Sequence, residues 1–240
     1  MVDAAAGPAA GGLSTLAEPW YHVAKAVGLS PVKLWFNWRF EDLDRIPQHG
    51  PVIVACNHAS YLDPLANAYA VIRAGRRPRF LAKVELFRIP IVGMAFRGAK
   101  QIPVVRGSRD GSALVAAERA LADGEAIVIY PEGTVTTRAD HLPMEGKTGA
   151  VRLALASGAP IVPMASWGSH PVWQKSGRGS LRFGRPIWVK VGVPIDLTDR
   201  RDALADRGAH AALTAELMDV LTDLTVDLRD RYPQRWSDDG

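Results

Sequence analysis

From residue 47 onward, short apolar runs alternate with stretches of helical spacing. Pro51–Cys56 is wholly apolar and predicts a buried strand. A helix is expected from Pro64 to about Ala74, stopping before Gly75. Arg79–Lys83 reads as a strand, Glu85–Arg97 as a helical pattern interrupted by Pro90, and Gln101–Arg106 as another strand. Ser112–Ala122 predicts a helix with Leu114, Ala117 and Leu121 on one face and Gly124 just past its end. Ala126–Tyr130 is an unbroken apolar run, as a central parallel strand covered on both faces requires. Lys147–Ser157 predicts a helix closed by Gly158, and Pro160–Ala165, Leu181–Phe183 and Ile187–Val191 predict three more strands. Strands alternating with helices imply an α/β fold, with a mostly parallel central sheet flanked by helices.

The last long stretch, His210–Tyr232, carries Leu213, Leu217, Val220, Leu221, Leu224 and Leu228. Steps of three and four make an amphipathic stripe that reads best as packing against the sheet. The first residues differ from the rest. Residues 1–12 are rich in Ala, Gly and Pro and read as a disordered tail. Residues 13–33 read as a membrane-interface helical segment. Trp20, Tyr21, Trp35, Phe36, Trp38 and Phe40 fall close together, and between Glu18 and Glu41 the only Lys, Arg, Asp or Glu residues are Lys25, Lys33 and Arg39. Rings with cations and no acids suit a headgroup layer. Phe36, Trp38 and Phe40 alternate with polar residues, so residues 34–41 are better read as an edge strand. The main domain is then 34–232, with a short tail at 233–240.

Composition narrows the picture. The chain has 240 residues, 48% hydrophobic and 22% charged, which fits one globular domain and excludes a disordered or collagen-like chain. The net charge of +4 is too small to argue for nucleic acid. A single cysteine, Cys56, excludes an internal disulfide and a cysteine-based zinc site. The six histidines are scattered and no H-E-x-x-H occurs, so no metal is expected. No apolar run approaches the roughly 18 residues of a membrane span, and the N-terminus lacks the basic and apolar regions of a secretory signal. The expected place is the cytoplasmic face of the cell membrane, peripheral or monotopic. G-x-S-x-G is absent. Gly146-Lys147-Thr148 resembles the end of a P-loop, but His141 stands where its first glycine belongs.

Candidate chemistry gathers at strand ends. Asn57-His58-Ala59-Ser60-Tyr61-Leu62-Asp63-Pro64 follows a buried strand and opens a helix. The carboxyl end of a strand in an α/β sheet is where ligands bind. Asp63 could turn back to the His58 imidazole and fix its tautomer, leaving the other ring nitrogen as a base. It also reads as a helix N-cap before a proline at the first helical position. Tyr130-Pro131-Glu132-Gly133-Thr134 ends a second buried strand, with a carboxylate that folding does not need and a glycine that permits positive φ. Arg106 ends Ile102-Pro103-Val104-Val105, and Lys83 ends Phe80-Leu81-Ala82. Arg suits bidentate phosphate binding, although a solvated surface Arg is common. In a parallel sheet all four sites converge on one edge.

In that order and spacing the blocks resemble the glycerolipid acyltransferase family, of the lysophosphatidic acid acyltransferase type. Asn57 to Asp63 is similar to its H-x-x-x-x-D block, Ile102–Arg106 to its second block, Tyr130–Thr134 to its third and Ile161–Ala165 to its fourth. The resemblance spans about Phe36 to Ile195. It implies transfer of a fatty acyl group from an acyl thioester, acyl-CoA or acyl carrier protein, to the free hydroxyl of 1-acyl-sn-glycerol-3-phosphate. The product would be phosphatidic acid, in phospholipid biosynthesis. His58 and Asp63 would be catalytic. Arg106 and Lys83 would bind the acceptor phosphate, and Glu132 and Gly133 would shape its glycerol pocket, with a backbone N–H near Gly133 as a candidate oxyanion donor. No cofactor or metal is implied. The partners would be the thioester donor, a lysophospholipid acceptor and the membrane surface, without nucleic acid. Two departures bear on the acceptor: Val135 stands where the family often has Arg, and Val105 where it often has an acid. They keep open another lysolipid or a glycolipid sugar hydroxyl as acceptor. A thioesterase is a further alternative.

Overall fold

The computed structural model describes residues 31–105 and 112–237. Arg106, and most of the segment expected at the membrane interface, lie outside the described residues. Residues 31–35 are helical and lead into β1 (Asn37–Glu41). Then follow β2 (Val52–Cys56), α1 (Asp63–Arg73), β3 (Pro78–Lys83), α2 (Pro90–Gly98) and β4 (Ile102–Val104). The chain continues through α3 (Ser112–Ala122), β5 (Ala126–Ile129), α4 (Gly149–Ser157), β6 (Ile161–Trp167), β7 (Pro186–Val191) and α5 (Arg207–Arg231).

The strands form one 7-stranded sheet in the order β1-β7-β6-β2-β5-β3-β4. Every pairing is parallel except β6 with β7. The carboxyl ends of β2, β3, β4, β5 and β6 therefore share one edge, called the active edge below. Strands β1 and β7 run the other way, so their amino ends reach that same edge.

β2 is buried at every position because both of its faces are covered. Ile53 and Ala55 point into a core with Leu121, Leu153, Leu217 and Leu221 from α3, α4 and α5. Val52, Val54 and Cys56 point into the opposite core with Ala70 and Val71 of α1. The period-2 side-chain alternation of a strand divides them. The stripe of α5 buries Leu213, Leu217, Leu221 and Leu228, whereas Val220 and Leu224 are half-buried. Gly158 closes α4 with φ 72 in the left-handed region, where its N–H donates to Ala154 O.

Leu181–Phe183 is not a strand. Leu181 and Phe183 are exposed, and Gly184 turns the chain at φ 77 into β7. β7 already has β6 on one side and β1 on the other, so no sheet position remains for this alternating Leu-Arg-Phe triplet. A strand needs a partner for its backbone groups, and alternation alone does not supply one. After α5, Gln234–Trp236 forms a 3-10 turn whose Trp236 packs beside Trp167, Trp188 and Tyr232.

Candidate active site

Where β2 ends, β6 continues, and Asn57 fills the gap between them. Its side-chain amide donates to Ser166 O (3.1 Å) and accepts from Ser166 N (2.8 Å). This pair extends the parallel register Cys56↔Met164 by one side chain and fixes where His58 leaves the sheet. Thr136 N–H donates to His58 O (2.7 Å), and His58 N–H donates to Glu132 Oε1 (2.8 Å). The His58 backbone is thus held from the β5 side at both of its polar groups.

Asp63 turns back. Its Oδ2 lies 3.1 Å from His58 Nδ1 and accepts from Ala59 N (2.6 Å) and Ser60 N (2.7 Å), while Oδ1 accepts from the Ser169 hydroxyl. None of these partners belongs to the first turn of α1, so the side chain is not a cap of its own helix. An ionised carboxylate only accepts, so Nδ1 carries the proton and the neutral ring keeps its lone pair on Nε2. Nε2 has no hydrogen-bond partner among the described residues, and the His58 side chain keeps 10% of its surface exposed. Asp63 is fully buried.

The face of the imidazole is also occupied. The Tyr130 ring stacks on it with centroids 4.1 Å apart and planes 23° from parallel. Asn67 Nδ2 of α1 donates to Tyr130 Oη (3.1 Å). Burial, followed by the nearby Cys56 and Asp63, pushes the phenol well above its ordinary range. Tyr130 therefore stays neutral and acts as a flat wall. Burial likewise raises the Cys56 thiol. Ser60 Oγ donates to Trp173 O and Ser169 Oγ to Asp63, so neither hydroxyl is bonded to the imidazole. Among the described residues, no activated nucleophile stands beside His58.

A family model described as Acyltransferase matches residues 37–167, more than half of the chain. The chain belongs to the acyltransferase family. Its relatives include a protein of Bacillus subtilis named 1-acyl-sn-glycerol-3-phosphate acyltransferase, 28% identical over 146 residues, covering 60% of this chain and 70% of that protein. A chloroplastic 1-acyl-sn-glycerol-3-phosphate acyltransferase of Brassica napus is 24% identical over 205 residues, covering 84% of this chain but 57% of the plant protein. Among solved structures, the 1-acyl-sn-glycerophosphate acyltransferase PlsC of Thermotoga maritima has the same fold, with a TM-score of 0.67 at 23% identity. That match covers 90% of this chain and 81% of the other.

In this acyltransferase the third block serves first as a brace. Glu132 is buried, with Oε1 on His58 N and Oε2 accepting from Met144 N (3.0 Å). Burial raises its carboxyl from 4.5 to about 7, against the pull of the two backbone N–H groups. Gly133 sits at φ 69, and a β-carbon there would lie 2.9 Å from Lys147 Nζ, so glycine lets the Lys147 chain lie across the turn. The Gly133 N–H donates to Tyr130 O (2.9 Å), closing the turn, and so is not a free oxyanion donor. Val135 is buried, and Arg138 forms a two-pronged pair with Asp140 (2.9 and 2.6 Å). Lys83 is exposed at the end of β3 and makes no ion pair among the described residues. With β5 between β2 and β3, Lys83 stands two strand spacings from the His58 loop, about 10 Å.

The structure thus brings His58, Asp63, Glu132 and Gly133 together and sets Lys83 to one side. Tyr130, Asn67, Ser169, Asn57 and Lys147 were not singled out for this site from sequence. Tyr130 and Asn57 stand inside the recognised blocks. Ser169 follows the end of β6, where the strand-end rule applied to the other blocks would have found it.

Proposed function

We propose that the protein transfers a fatty acyl group from an acyl thioester to the free hydroxyl of 1-acyl-sn-glycerol-3-phosphate, giving phosphatidic acid. The observation that carries this reading is the His58–Asp63 pair, with Nδ1 committed to a buried carboxylate and Nε2 unpartnered, in a chain of this family. His58 Nε2 takes the proton of the acceptor hydroxyl as that oxygen attacks the thioester carbonyl. The C–S bond then breaks, and the thiolate leaves and takes up the proton held by the His58 imidazolium, which restores the base. Asp63 stabilises the imidazolium. The transfer is direct, because no serine or cysteine among the described residues is placed to hold the acyl group.

Acceptor phosphate is held by Arg106 and Lys83. Lys147, whose chain crosses Gly133, adds a third cation. Glu132 and Gly133 shape the glycerol pocket by fixing the turn beside His58. The donor is acyl-CoA or acyl carrier protein, and no cofactor or metal takes part. The enzyme works peripherally at the cytoplasmic face of the cell membrane, with residues 13–33 in the interface. Buried Val135, at the position where the family often has Arg, favours a second reading in which the acceptor carries another headgroup.

The test offers the purified protein labelled acyl-CoA and labelled acyl carrier protein in turn, with a panel of lysolipids, glycolipids and water alone. Labelled phosphatidic acid, formed from lysophosphatidic acid faster than any other product, is the expected result. Label appearing chiefly as free fatty acid would make the protein a thioesterase. Label in another lipid would move the acceptor.

A further inference from the structure

We propose that Tyr130 is a positioning residue that acts through His58: its ring sets the plane of the imidazole and stabilises the cation that the imidazole becomes when it takes up a proton. The proposal rests on the reading of His58 as the base of acyl transfer.

The arrangement follows from strand order. β2, β5 and β3 lie side by side, with His58 just beyond β2, Tyr130 just beyond β5 and Phe80 within β3. Phe80 and Tyr130 pack against the core that holds Ala70 and Val71 of α1. Tyr130 stacks on the imidazole at 4.1 Å, and Phe80 stacks on Tyr130 at 6.4 Å with planes 21° apart. Three near-parallel rings thus run across the sheet.

Tyr130 is pinned at its far end. Asn67, fully buried, donates from Nδ2 to Oη (3.1 Å). It sits on the buried face of α1 with Ala66, Ala70 and Val71, and after Asp63 it is the one polar side chain on that face. Its Oδ1 is buried and has no hydrogen-bond partner among the described residues. An apolar side chain would fill this place without burying an amide, so packing alone does not account for asparagine. Its bond to Oη does, by holding a ring whose plane matters.

The imidazole needs that second contact. Asp63 holds it at Nδ1 (3.1 Å), but the outer torsion of histidine is broad, and one hydrogen bond lets the ring rock. The Tyr130 face stops this motion and fixes the direction of the Nε2 lone pair. The contact also strengthens during reaction. Neutral imidazole gains only stacking from the phenol. Once Nε2 is protonated, a cation lies against the ring face, inside the roughly 6 Å reach of cation–π attraction. An interaction that grows as charge develops raises kcat and leaves substrate binding alone. Around the imidazole stand Asp63 of α1, Cys56 of β2, Glu132 and Lys147 beyond β5, and His170 and Lys175 beyond β6. Substitutions at 130 leave these titratable and charged groups in place.

The experiment compares Tyr130→Leu, which removes the ring face, with Tyr130→Phe combined with Asn67→Leu, which keeps the face and replaces the hydroxyl and its amide together. Kinetics with acyl-CoA and lysophosphatidic acid across pH are paired with NMR of histidine-labelled protein, the His58 signals being assigned by their loss in His58→Gln. Tyr130→Leu should lose about three- to thirtyfold in kcat, with acceptor KM within about twofold of the parent. The acid limb of its kcat/KM profile should move to lower pH, because the imidazolium has lost its support. The acceptor phosphate titrates alike in every variant, so the difference belongs to the enzyme. The double variant should recover most of the lost kcat and the position of the limb. By NMR, the His58 ring protons of the parent should lie upfield, under the Tyr130 face. In Tyr130→Leu they should return to ordinary positions, and the pH midpoint of these signals should fall with the limb. Loss of kcat with limb and midpoint unmoved would reduce Tyr130 to packing and overturn the proposal. So would ordinary ring-proton positions in the parent, a measurement that needs no variant to fold. Upfield signals and a shifted midpoint in a protein that transfers no acyl group would uphold the support of His58 and overturn the acyl-transfer reading instead.

Discussion

At the scale of single residues, the site rests on which atoms are already spoken for. His58 Nδ1 is committed to Asp63, so removing the imidazole should remove the base and leave the loop, which hangs on backbone bonds to Thr136 and Glu132. His58→Ala is expected to keep its melting temperature and lose about 10²–10⁴ in turnover, measured under saturating donor and acceptor. Asp63→Asn can keep its oxygen toward Ala59 N and Ser60 N and turn its amide to the Ser169 hydroxyl, so it should fold. It loses the charge that stabilises imidazolium, and turnover should fall by a similar factor. Glu132 makes a different prediction. Its folded pKa of about 7 lies above the ordinary 4.5, so the folded protein binds more protons than the unfolded chain between those values. Its stabilising contribution is full below about pH 4.5 and is lost as pH rises through about 7, on the order of 1–3 kcal/mol. Denaturant titrations across this range should show that slope in the parent and a flatter one in Glu132→Gln. An unchanged slope in the variant would assign the pH dependence to another group.

At the scale of elements, sequence periodicity located strands and helices well wherever a face was buried. Ser112–Ala122 was read with its final boundaries, and α4 ended at Gly158 as expected. Leu181–Phe183 failed because strand pairing is decided by neighbours far along the chain. α2 shows a second kind of tertiary decision. The sequence showed Pro90 as an interruption of one helical pattern, whereas it starts α2, and the seat of the helix depends on Gly93 meeting the Phe87 carbonyl. Gly93→Ala should force the helix off that turn, at a cost of about 1–3 kcal/mol. For a domain of this size the melting temperature should drop by roughly 2–4 °C for each kcal/mol. A parent-like melting curve would mean that the turn yields freely.

At the scale of the whole molecule, the first strand and the last helix are tied together by charge. Arg231 donates to both oxygens of Glu41 (2.9 Å each) and to Asp227 (2.6 Å), and Lys190 of β7 also reaches Asp227 (2.7 Å). The Arg231 bonds hold the Glu41 carboxyl below its ordinary range. The network is partly exposed, so its worth is modest. Arg231→Ala should lower unfolding free energy by about 1 kcal/mol in low salt, and by less in 1 M salt, as read by denaturant titration. A loss that is the same in both salts would point to packing of the Arg231 stem over Trp188, which the guanidinium faces at 5.9 Å.

Taken by itself, the sequence determined the layered α/β class, and it pointed to strand ends as the place for chemistry, with His58, Asp63, Lys83, Arg106, Glu132 and Gly133 as the candidates there. Those signals are local: apolar runs, turn residues and short spacings are written within a few residues of each other. It left Asp63 open between cap and orienting carboxylate, because both roles use the same residue before the same proline. Only the folded chain decided between them, by bringing Ser169 from beyond β6 to Oδ1 and the 59–60 backbone to Oδ2. Tertiary structure also placed Tyr130 flat on the imidazole and the Lys147 chain across Gly133, contacts between residues up to 72 positions apart in one case and 14 in the other. Strand order and direction decided the rest, since the reversal of β7 against β6 moves the flanks of β1 and β7 to the active edge, and no local pattern encodes which strand lies beside which.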